Sequence, residues 1–590
     1  MAAPRMLAIP ALLCLAFSAA AEEPAYDYAE EKEFWSFQQP QPQPPAQVEN
    51  KDWVRSPIDT FVLARLEQEE LTPNPEAEAR VLLRRVSYDL TGLPPDWEAL
   101  SSLPYEKQVD TLLASPHFGE RWARLWLDVA RYAEDQAHIV GNNAALTYPN
   151  AYRFRDWVIG ALNEDLPYDE FLRLQLAADL VDPKKTDAHF ALGFMGLGPK
   201  YYRRGDLAVM ADEWEDRVDT LTRGVLGLTV SCARCHDHFY DPIPTADYYA
   251  LAGVFASTEM FNKPMRDDCE MQNDGNTKKP DDADHLIREA KKMKHLPVYN
   301  RGDVTAPGDV VSRGFLTILG NGERVSFTEE NSGRLDLANE IVSTENPLTA
   351  RVWVNRVWGE LTGRPLVGTT SNFGKLGEKP SHPELLDDLS YRFMHEGNWS
   401  LKWLVREIVL SSTYRQSSDR NAGAAESDPD NTKLARMNRR RLPVEMWRDS
   451  LLVAAGQLDR AIGGPSFDAS DPAAHRRAVY AKVSRLQLDP MLALFDFPDP
   501  NLHSPGRSET TTPIQKLFVM NHPIIVDKAS ALADRMKGSP EDSVRMGYEI
   551  LFGRAPTSEE LALGVSYLRD HELRDYAQAL LATNEFAWLD

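Results

Sequence analysis

Two cysteines and the histidine that follows them carry the strongest chemical signal in the sequence. Cys232, Cys235 and His236 form a Cys-x-x-Cys-His pattern, which is typical of covalent attachment of a c-type haem. Each thiol then forms a thioether with a haem vinyl group, and the imidazole binds the iron. On a helical turn the three residues occupy positions i, i+3 and i+4, so they project from one face. The pattern therefore predicts haem c, with His236 as the iron ligand.

Two other kinds of chemistry remain open for the same cysteines. Cys232, Cys235 and His238 also form Cys-x-x-Cys-x-x-His, three ligands of a zinc site, with Cys269 available as a fourth. A redox or structural disulfide between Cys232 and Cys235 is the third interpretation. The metal content of the protein would separate haem from these two alternatives.

Acidic and imidazole side chains directly follow the pattern. Asp237, His238 and Asp241 are candidate catalytic groups, because they could exchange protons or bind a cation beside the haem. The same residues could instead hydrogen-bond the turn and orient His236. A metal-dependent hydrolase centred on His236, Asp237 and His238 is a further hypothesis.

Two other residues, Arg131 and His382, are candidate cofactor-binding residues. Arg124 with Asp128, and Asp128 with Arg131, lie at ion-pair spacing on a predicted helix. This group is either a paired polar flank or an Arg/Asp group beside a haem or substrate pocket. His382 lies at the start of a predicted helix that we expect Ser381 to cap. His382 is a candidate haem ligand, a candidate acid/base group or a local polar group.

The N-terminus predicts export. An apolar run from Met6 to Phe17 is followed by small residues up to Ala21, as in a secretory signal peptide cleaved after Ala21. A Pro/Gln-rich segment at 22–50 follows. We expect a periplasmic or secreted protein. Because haem c is attached on the outer side of the bacterial inner membrane, the signal and the Cys-x-x-Cys-His pattern support each other.

Composition excludes several function classes. The 590 residues carry 65 basic and 89 acidic side chains, a formal charge of −24, and such a surface repels nucleic acid and anionic lipid. After the signal no apolar run is long enough to cross a bilayer. We therefore expect neither a nucleic-acid partner nor a membrane span. With so few cysteines the fold must be held by its core.

Hydrophobic periodicity predicts a mainly α fold with two helical domains and few short strands. Ser56 and Pro57 start the first helix with the expected cap and first-turn proline, and Thr557 starts another near the C-terminus. We expect one short helix at 283–293 within an irregular connection. The predicted order is a signal peptide at 1–21, the Pro/Gln-rich segment at 22–50, a cytochrome c-like domain at 51–260, the connection at 261–331 and a second domain at 332–590.

Several motifs in this order resemble one family. The sequence resembles large exported proteins with two adjacent domains of unknown function that are named after planctomycete cytochromes. The motifs are Arg85-Val-Ser-Tyr-Asp-Leu-Thr-Gly-Leu-Pro94, Trp126-Leu-Asp-Val-Ala-Arg-Tyr132 and Leu226-Gly-Leu-Thr-Val-Ser-Cys-Ala-Arg-Cys-His-Asp-His238 for the first domain, and Asn346-Pro-Leu-Thr-Ala-Arg-Val352, Pro380-Ser-His-Pro-Glu-Leu-Leu386 and Asn584-Glu-Phe586 for the second.

The resemblance implies a haem c label for Cys232, Cys235 and His236. Family members belong to bacteria that degrade complex polysaccharides, which points to carbohydrate chemistry. The leading hypothesis is a haem-dependent oxidoreductase or electron carrier that moves electrons between a carbohydrate-like substrate and a soluble redox partner. The alternative is a non-catalytic extracytoplasmic binding or scaffold protein with zinc or a disulfide at Cys232 and Cys235.

Overall fold

Helices form most of the regular structure, and this confirms the predicted mainly α fold. The computed structural model describes residues 26–140, 144–148, 150–200, 205–264, 283–320 and 322–590. The predicted signal peptide with its cleavage site, Cys269 and part of the predicted connection lie outside these residues. No helix in the described part of the chain is both long enough and apolar enough to span a bilayer.

The helices of the first half begin where the sequence predicts a start. Pro57 is the first helical residue of the second helix, and the backbone N–H of Ser56 donates to Asp59 Oδ2 at 3.0 Å. The α-helices in this half are α1 (Tyr28–Glu31), α2 (Pro57–Gln68), α3 (Ala79–Thr91), α4 (Trp97–Leu100), α5 (Tyr105–Leu113), α6 (His117–Val129), α7 (Tyr152–Asn163), α8 (Tyr168–Val181), α9 (Gly193–Gly196), α10 (Leu207–Leu221) and α11 (Thr245–Ala256).

Helices also form most of the regular structure of the second half. As predicted, a helix starts after Thr557, whose hydroxyl accepts the backbone N–H of Glu560 at 3.2 Å. The α-helices here are α12 (Arg334–Val342), α13 (Thr349–Thr362), α14 (Pro383–His395), α15 (Leu401–Leu410), α16 (Ser412–Arg415), α17 (Val444–Ala454), α18 (Pro490–Leu494), α19 (Pro513–Asn521), α20 (Pro523–Arg535), α21 (Pro540–Phe552), α22 (Ser558–Tyr567), α23 (Leu573–Leu581) and α24 (Asn584–Ala587).

The strands of the described residues form antiparallel pairs. These are β1 (Asp135–Val140) with β2 (Ala144–Thr147), β3 (Thr258–Pro264) with β4 (Ala283–Glu289), β5 (Leu296–Tyr299) with β6 (Pro307–Val311), and β7 (Arg440–Arg441) with β8 (Trp588–Leu589).

The short helix predicted at 283–293 is wrong, because residues 283–289 form β4. Arg288 lies directly opposite Glu259 of β3, and Arg288 Nε donates to Glu259 Oε1 at 2.8 Å. Leu286 and Ile287 of the same strand are buried. Cross-strand pairing and burial outweigh the local charge pattern that suggested a helix.

Aromatic rings join the two halves in one core. The rings of Tyr168 and Trp353 stack with centroids 4.4 Å apart, and Trp353 also meets Trp126 edge-on at 5.9 Å. All three side chains are buried. Because Trp353 belongs to the second half and the other two to the first, neither half has a complete core alone.

Buried charges reinforce this contact at α6. Glu120 accepts hydrogen bonds from Arg477 Nη1 and from the Tyr480 hydroxyl, both at 2.6 Å. Arg477 Nε also donates to Asp449 of α17 at 2.9 Å. Burial alone would raise the pKa of Glu120, but Arg477 and His117 hold that pKa below its ordinary value. The carboxylate of the first half is therefore kept charged by partners that come mainly from the second half.

A second group of buried charges, around Asp128, lies about two turns further along α6. Arg507 Nε donates to Asp128 at 2.7 Å, and its two terminal nitrogens donate to Glu445 of α17 at 2.6 and 2.8 Å. Arg124 pairs with Asp128 at 2.6 Å, as its spacing predicts. Burial raises the pKa of Glu445, but Arg507 and Arg124 lower it to about 2.

A buried histidine provides a third contact between the halves. His503 Nδ1 donates to the carbonyl of Val129 at 3.1 Å, and its Nε2 accepts from the Ser371 hydroxyl at 2.7 Å. This bonding defines a neutral imidazole. Burial, reinforced by the nearby charge of Arg356, lowers the pKa of His503 to about 3.

Replacing Glu120 by alanine should destabilise the protein, because the Arg477 charge would stay buried with part of its pairing removed. We expect the free energy of unfolding to fall by about 3–5 kcal/mol, measured by urea denaturation. Asp575→Ala is the matched control, since Asp575 pairs with Arg574 on the surface, where ion pairs contribute little to stability. Equal losses in the two variants would contradict a dominant role for the buried pair.

Acid should destabilise the wild-type protein through His503. Its pKa is depressed on folding, so the neutral form contributes stability above the unfolded pKa of about 6.5, and this is lost as pH falls towards 3. Between pH 7 and pH 4 the wild type should lose about 3 kcal/mol more than His503→Gln, which has no titrating imidazole. Urea denaturation at the two pH values measures the difference, and parallel losses would refute the assignment.

Candidate cofactor site

The Cys-x-x-Cys-His pattern lies on a surface turn between α10 and α11. After α10 the helix continues as one wider, π-helical turn over residues 222–226. The helix ends at Gly227, where φ is 61°. Residues 230–234 then form a 3₁₀ helix that contains Cys232, and Cys235 follows directly. Residues three apart in a 3₁₀ helix lie one above the other. The turn therefore brings the two cysteines to one side, as covalent attachment of one group requires.

Both cysteines of the turn are exposed and unpaired thiols. Gly302 packs behind Cys235, and a Cβ at this glycine would come within 2.8 Å of Cys235 Sγ. The φ of 74° at Gly302 also favours glycine. The loop can thus approach the sulfur closely. In this structure Cys232 and Cys235 are therefore accessible from solvent and are not joined by a disulfide.

His236 is exposed, and one hydrogen bond fixes its tautomer. Its Nδ1 donates to the backbone carbonyl of Asp237 at 2.7 Å. The Phe239 ring packs against the imidazole with ring centroids 4.1 Å apart. With the proton on Nδ1, Nε2 presents a lone pair. This is the arrangement that a metal-binding histidine needs, because its other nitrogen is held by a carbonyl.

Arg234, between the two cysteines, anchors the turn to both neighbouring helices. Its guanidinium donates to Asp212 at 2.8 Å and also to Glu215, both on α10. Its backbone carbonyl accepts from the Tyr249 hydroxyl of α11 at 2.9 Å. The backbone between the thiols is therefore fixed, while the thiols themselves face outward.

His238 is a buried support of the turn. Its Nδ1 accepts the backbone N–H of Asp241 at 2.9 Å, so its proton is on Nε2, which donates to Thr229 Oγ1 at 3.0 Å. Burial lowers the pKa of His238. Both nitrogens are thus used within the turn.

The two aspartates have similar roles. Asp237 Oδ1 accepts the backbone N–H of Thr245 at 2.6 Å, at the start of α11. Asp241 is buried and accepts the backbone N–H of Lys375 at 2.7 Å, from the second half of the chain. At Gly374 a Cβ would lie 2.3 Å from the Asp241 carboxylate. These contacts favour the interpretation that Asp237, His238 and Asp241 hold the turn.

Arg131 belongs to a separate buried ion pair. Its Nε and Nη2 donate to Asp216 of α10 at 2.8 and 2.6 Å, and its Nη1 donates to the Phe194 carbonyl at 3.0 Å. The pair with Asp128 suggested by spacing is not formed. The described contacts of Arg131 do not include the cysteines or His236.

His382 lies at the start of α14 and in a different environment. It is itself the residue that precedes the helix, and the predicted cap at Ser381 is wrong, because no side chain caps this helix. Instead Ser381 Oγ hydrogen-bonds His382 Nδ1 at 3.0 Å. Burial lowers the pKa of His382 to about 4, with Arg65 as a further cause. The described contacts of His382 likewise do not reach the Cys-x-x-Cys-His turn.

The turn has the donor set that a covalently attached haem requires. Cys232, Cys235 and His236 leave two thiols and one imidazole nitrogen available on the same exposed turn. Zinc would need His238, whose nitrogens are occupied, and Cys269 lies outside the described residues. No group of three or more His, Cys, Asp or Glu side chains with the geometry of a metal site occurs in the part of the chain that the structure describes.

The sequence analysis did not identify three residues whose contacts support the turn. They are Gly302, which packs on Cys235; Lys375, whose backbone holds Asp241; and Tyr26, whose hydroxyl donates to the His238 carbonyl at 3.1 Å. All three are distant in sequence from the turn. The glycine-rich loop around Gly374 was the one local signal of a close approach.

Comparison with known families identifies two domains. Residues 57–260 match PSCyt2, a protein of unknown function (DUF1549), and residues 333–568 match PSD1, a protein of unknown function (DUF1553). This confirms the resemblance, with the two domains in the expected order. No curated protein and no solved structure matches the chain.

The thiols of the haem-free, reduced protein should alkylate almost as fast as those of an unfolded chain, because both are exposed. We expect the iodoacetamide rates at Cys232 and Cys235, followed by peptide mass spectrometry, to lie within about tenfold of the rates in urea. The rate in urea is the internal control. Protection by several orders of magnitude would contradict the exposed geometry.

Proposed function

The chain carries a PSCyt2 domain followed by a PSD1 domain, and we propose that it is an exported c-type haem protein that transfers electrons. Cys232 and Cys235 would hold the haem through thioethers, and His236 would bind its iron. The observation that carries the proposal is the orientation of His236 directly after two free, exposed thiols. Its Nδ1 is held by the Asp237 carbonyl, so Nε2 is left for a metal.

The surroundings of the turn suit a covalently bound, flat, apolar group. Phe239 is 78% exposed and Tyr240 is 52% exposed, directly beside His236. Two adjacent exposed aromatic side chains are unusual without a partner, since burying each would stabilise the protein. Haem supplies reversible one-electron chemistry when it is bound.

The protein fixes the attachment points through neighbouring residues. Arg234 ties the backbone to α10 and α11, and His238 closes the turn behind it. The carbonyl of Asp237 orients the imidazole and makes it a stronger ligand. Attachment through three points on such a fixed backbone would restrict both the position and the tilt of the bound group.

The overall charge indicates which redox partners are favoured. A formal charge of −24 attracts cationic proteins and repels anionic ones, so a soluble carrier with a basic surface would associate fastest. The proposal also includes a carbohydrate-like substrate. It follows from the family resemblance and from export through the N-terminal signal.

The alternatives receive less support from the geometry. A zinc scaffold would need His238 as a ligand, and both His238 nitrogens are hydrogen-bonded within the turn. A hydrolase centred on His236, Asp237 and His238 would need Asp237 and His238 beside the substrate, but Asp237 Oδ1 accepts the Thr245 N–H and both His238 nitrogens are hydrogen-bonded within the turn. The zinc site and the hydrolase would each require hydrogen bonds of the turn to be broken.

Export in a host with cytochrome c maturation machinery should yield one covalent haem per chain. The expected result is a mass increase of one haem on the denatured protein, a pyridine haemochrome spectrum of the c type, and reversible reduction. The double variant Cys232→Ser/Cys235→Ser should lose the haem, because no thioether can form.

Cys269→Ser is the matched control and should retain the haem fully. Absence of haem from the wild-type protein in that host would overturn the proposal. So would a double variant that keeps covalent haem, because the attachment would then lie elsewhere.

A further inference from the structure

A row of exposed apolar side chains leads away from His236. The Phe239 ring packs on the imidazole, and Tyr240 meets Phe239 edge-on with ring centroids 6.5 Å apart. Leu376 of the second half adds a third apolar side chain, which is 60% exposed. We call Phe239, Tyr240 and Leu376 the apolar patch.

A hydrogen bond between the two halves brings Leu376 to the turn. The backbone N–H of Lys375 donates to Asp241 Oδ1 at 2.7 Å. Tyr240 directly precedes Asp241 and Leu376 directly follows Lys375, so both side chains lie one residue from this bond. A single exposed apolar residue is ordinary, but three at one turn indicate an interaction surface.

An acidic segment borders the apolar patch. Residues 26–33, which include α1, carry four acidic side chains and one basic side chain, a formal charge of −3. Asp27, Glu30 and Glu33 are exposed to solvent. The Asp27 carboxylate also accepts the backbone N–H groups of Ala29 and Glu30 at 3.0 and 3.2 Å, which fixes the start of α1.

Two contacts hold the acidic segment beside the turn and the patch. The Tyr26 hydroxyl donates to the His238 carbonyl at 3.1 Å, and Glu31 pairs with Lys375 at 2.5 Å. Lys375 is the residue next to Leu376 in the sequence. The acidic segment therefore adjoins the patch at both of its ends, from the turn and from the second half.

The cations nearest to the turn do not cancel the charge of the acidic segment. Arg234 is paired with Asp212 and Glu215 of α10. Lys375 balances Glu31, and the other three carboxylates of the segment still outnumber its one lysine. The border of the apolar patch is therefore negative on the side of the acidic segment.

We propose that the apolar patch and the acidic segment form the docking surface for a soluble electron-carrier protein that presents an apolar contact area with a basic rim. This rests on the proposed function, because the partner would approach the haem at the turn. Opposite charges steer the encounter, and apolar contact then holds the two redox groups close together. An anionic carrier would be repelled at the same surface.

Stopped-flow electron transfer between the haem-loaded mature chain and mitochondrial cytochrome c, a basic redox protein, tests the charged part. Glu30→Gln/Glu33→Gln should lower the second-order rate constant about three- to tenfold at an ionic strength of about 0.01 M. The difference should vanish near about 1 M, because salt screens charges. Glu541→Gln/Glu559→Gln removes the same charge from exposed positions of α21 and α22, and should change the rate less than about twofold.

Leu376→Ser tests the apolar part. It should lower the rate constant several-fold at both ionic strengths, because salt does not screen an apolar contact. Leu376 is exposed, so the variant should keep the thermal unfolding midpoint of the wild type. Leu563→Ser, at a leucine of α22 that is 72% exposed, is the matched control and should react as the wild type does.

Equal effects of the two carboxylate pairs would overturn the docking surface, because the overall charge alone would then explain the steering. An unchanged rate in Leu376→Ser would overturn it as well, as would a faster reaction with flavodoxin, an acidic carrier, than with cytochrome c. The haem spectrum of the same samples reports separately on the proposed function. A chain without haem fails that test before any partner is mixed.

Discussion

The ion pairs between α6 and the second half of the chain govern how this protein can fold. Glu120 and Asp128 are buried acidic residues of the first half, and their cations, Arg477 and Arg507, come from the second. Burying such a charge costs several kcal/mol unless it is paired and hydrogen-bonded. Each of these carboxylates has at least two donors. The first half alone would leave these charges without their main partners, so the halves stabilise one another.

The candidate site also depends on contacts between the two halves of the chain. The turn that carries Cys232, Cys235 and His236 belongs to the first half, but the Lys375 backbone holds Asp241 from the second half. Tyr26, from the N-terminal segment, hydrogen-bonds the same turn. Glu31 of that segment also pairs with Lys375 at 2.5 Å. The geometry around His236 is therefore a property of the assembled chain, although the chemistry resides in a few adjacent residues.

Local signals in the sequence predicted local structure well. The capped helix start at Ser56, the start after Thr557 and the Arg124–Asp128 pair all depend on residues within one helical turn, and the structure shows each of them. The Cys-x-x-Cys-His pattern likewise specified its own exposed turn.

The errors share a different cause. Residues 283–289 form a strand because β3 provides cross-strand partners for them. Arg131 pairs with Asp216, although Asp128 is closer to it in the sequence. These partners are contributed by distant segments, and periodicity within one window contains no information about them.

The location of the supports also sets an order in time. Because the chain is synthesised from its N-terminus, the cysteines at 232 and 235 leave the ribosome well before residue 375 does. During that interval Asp241 has no Lys375 backbone to hold, and the turn is still free to open. An enzyme that modifies the thiols would meet a loose segment first and a fixed surface later. Exposure of the thiols on a loose segment and fixation of that segment by the second half are thus separate events for this chain.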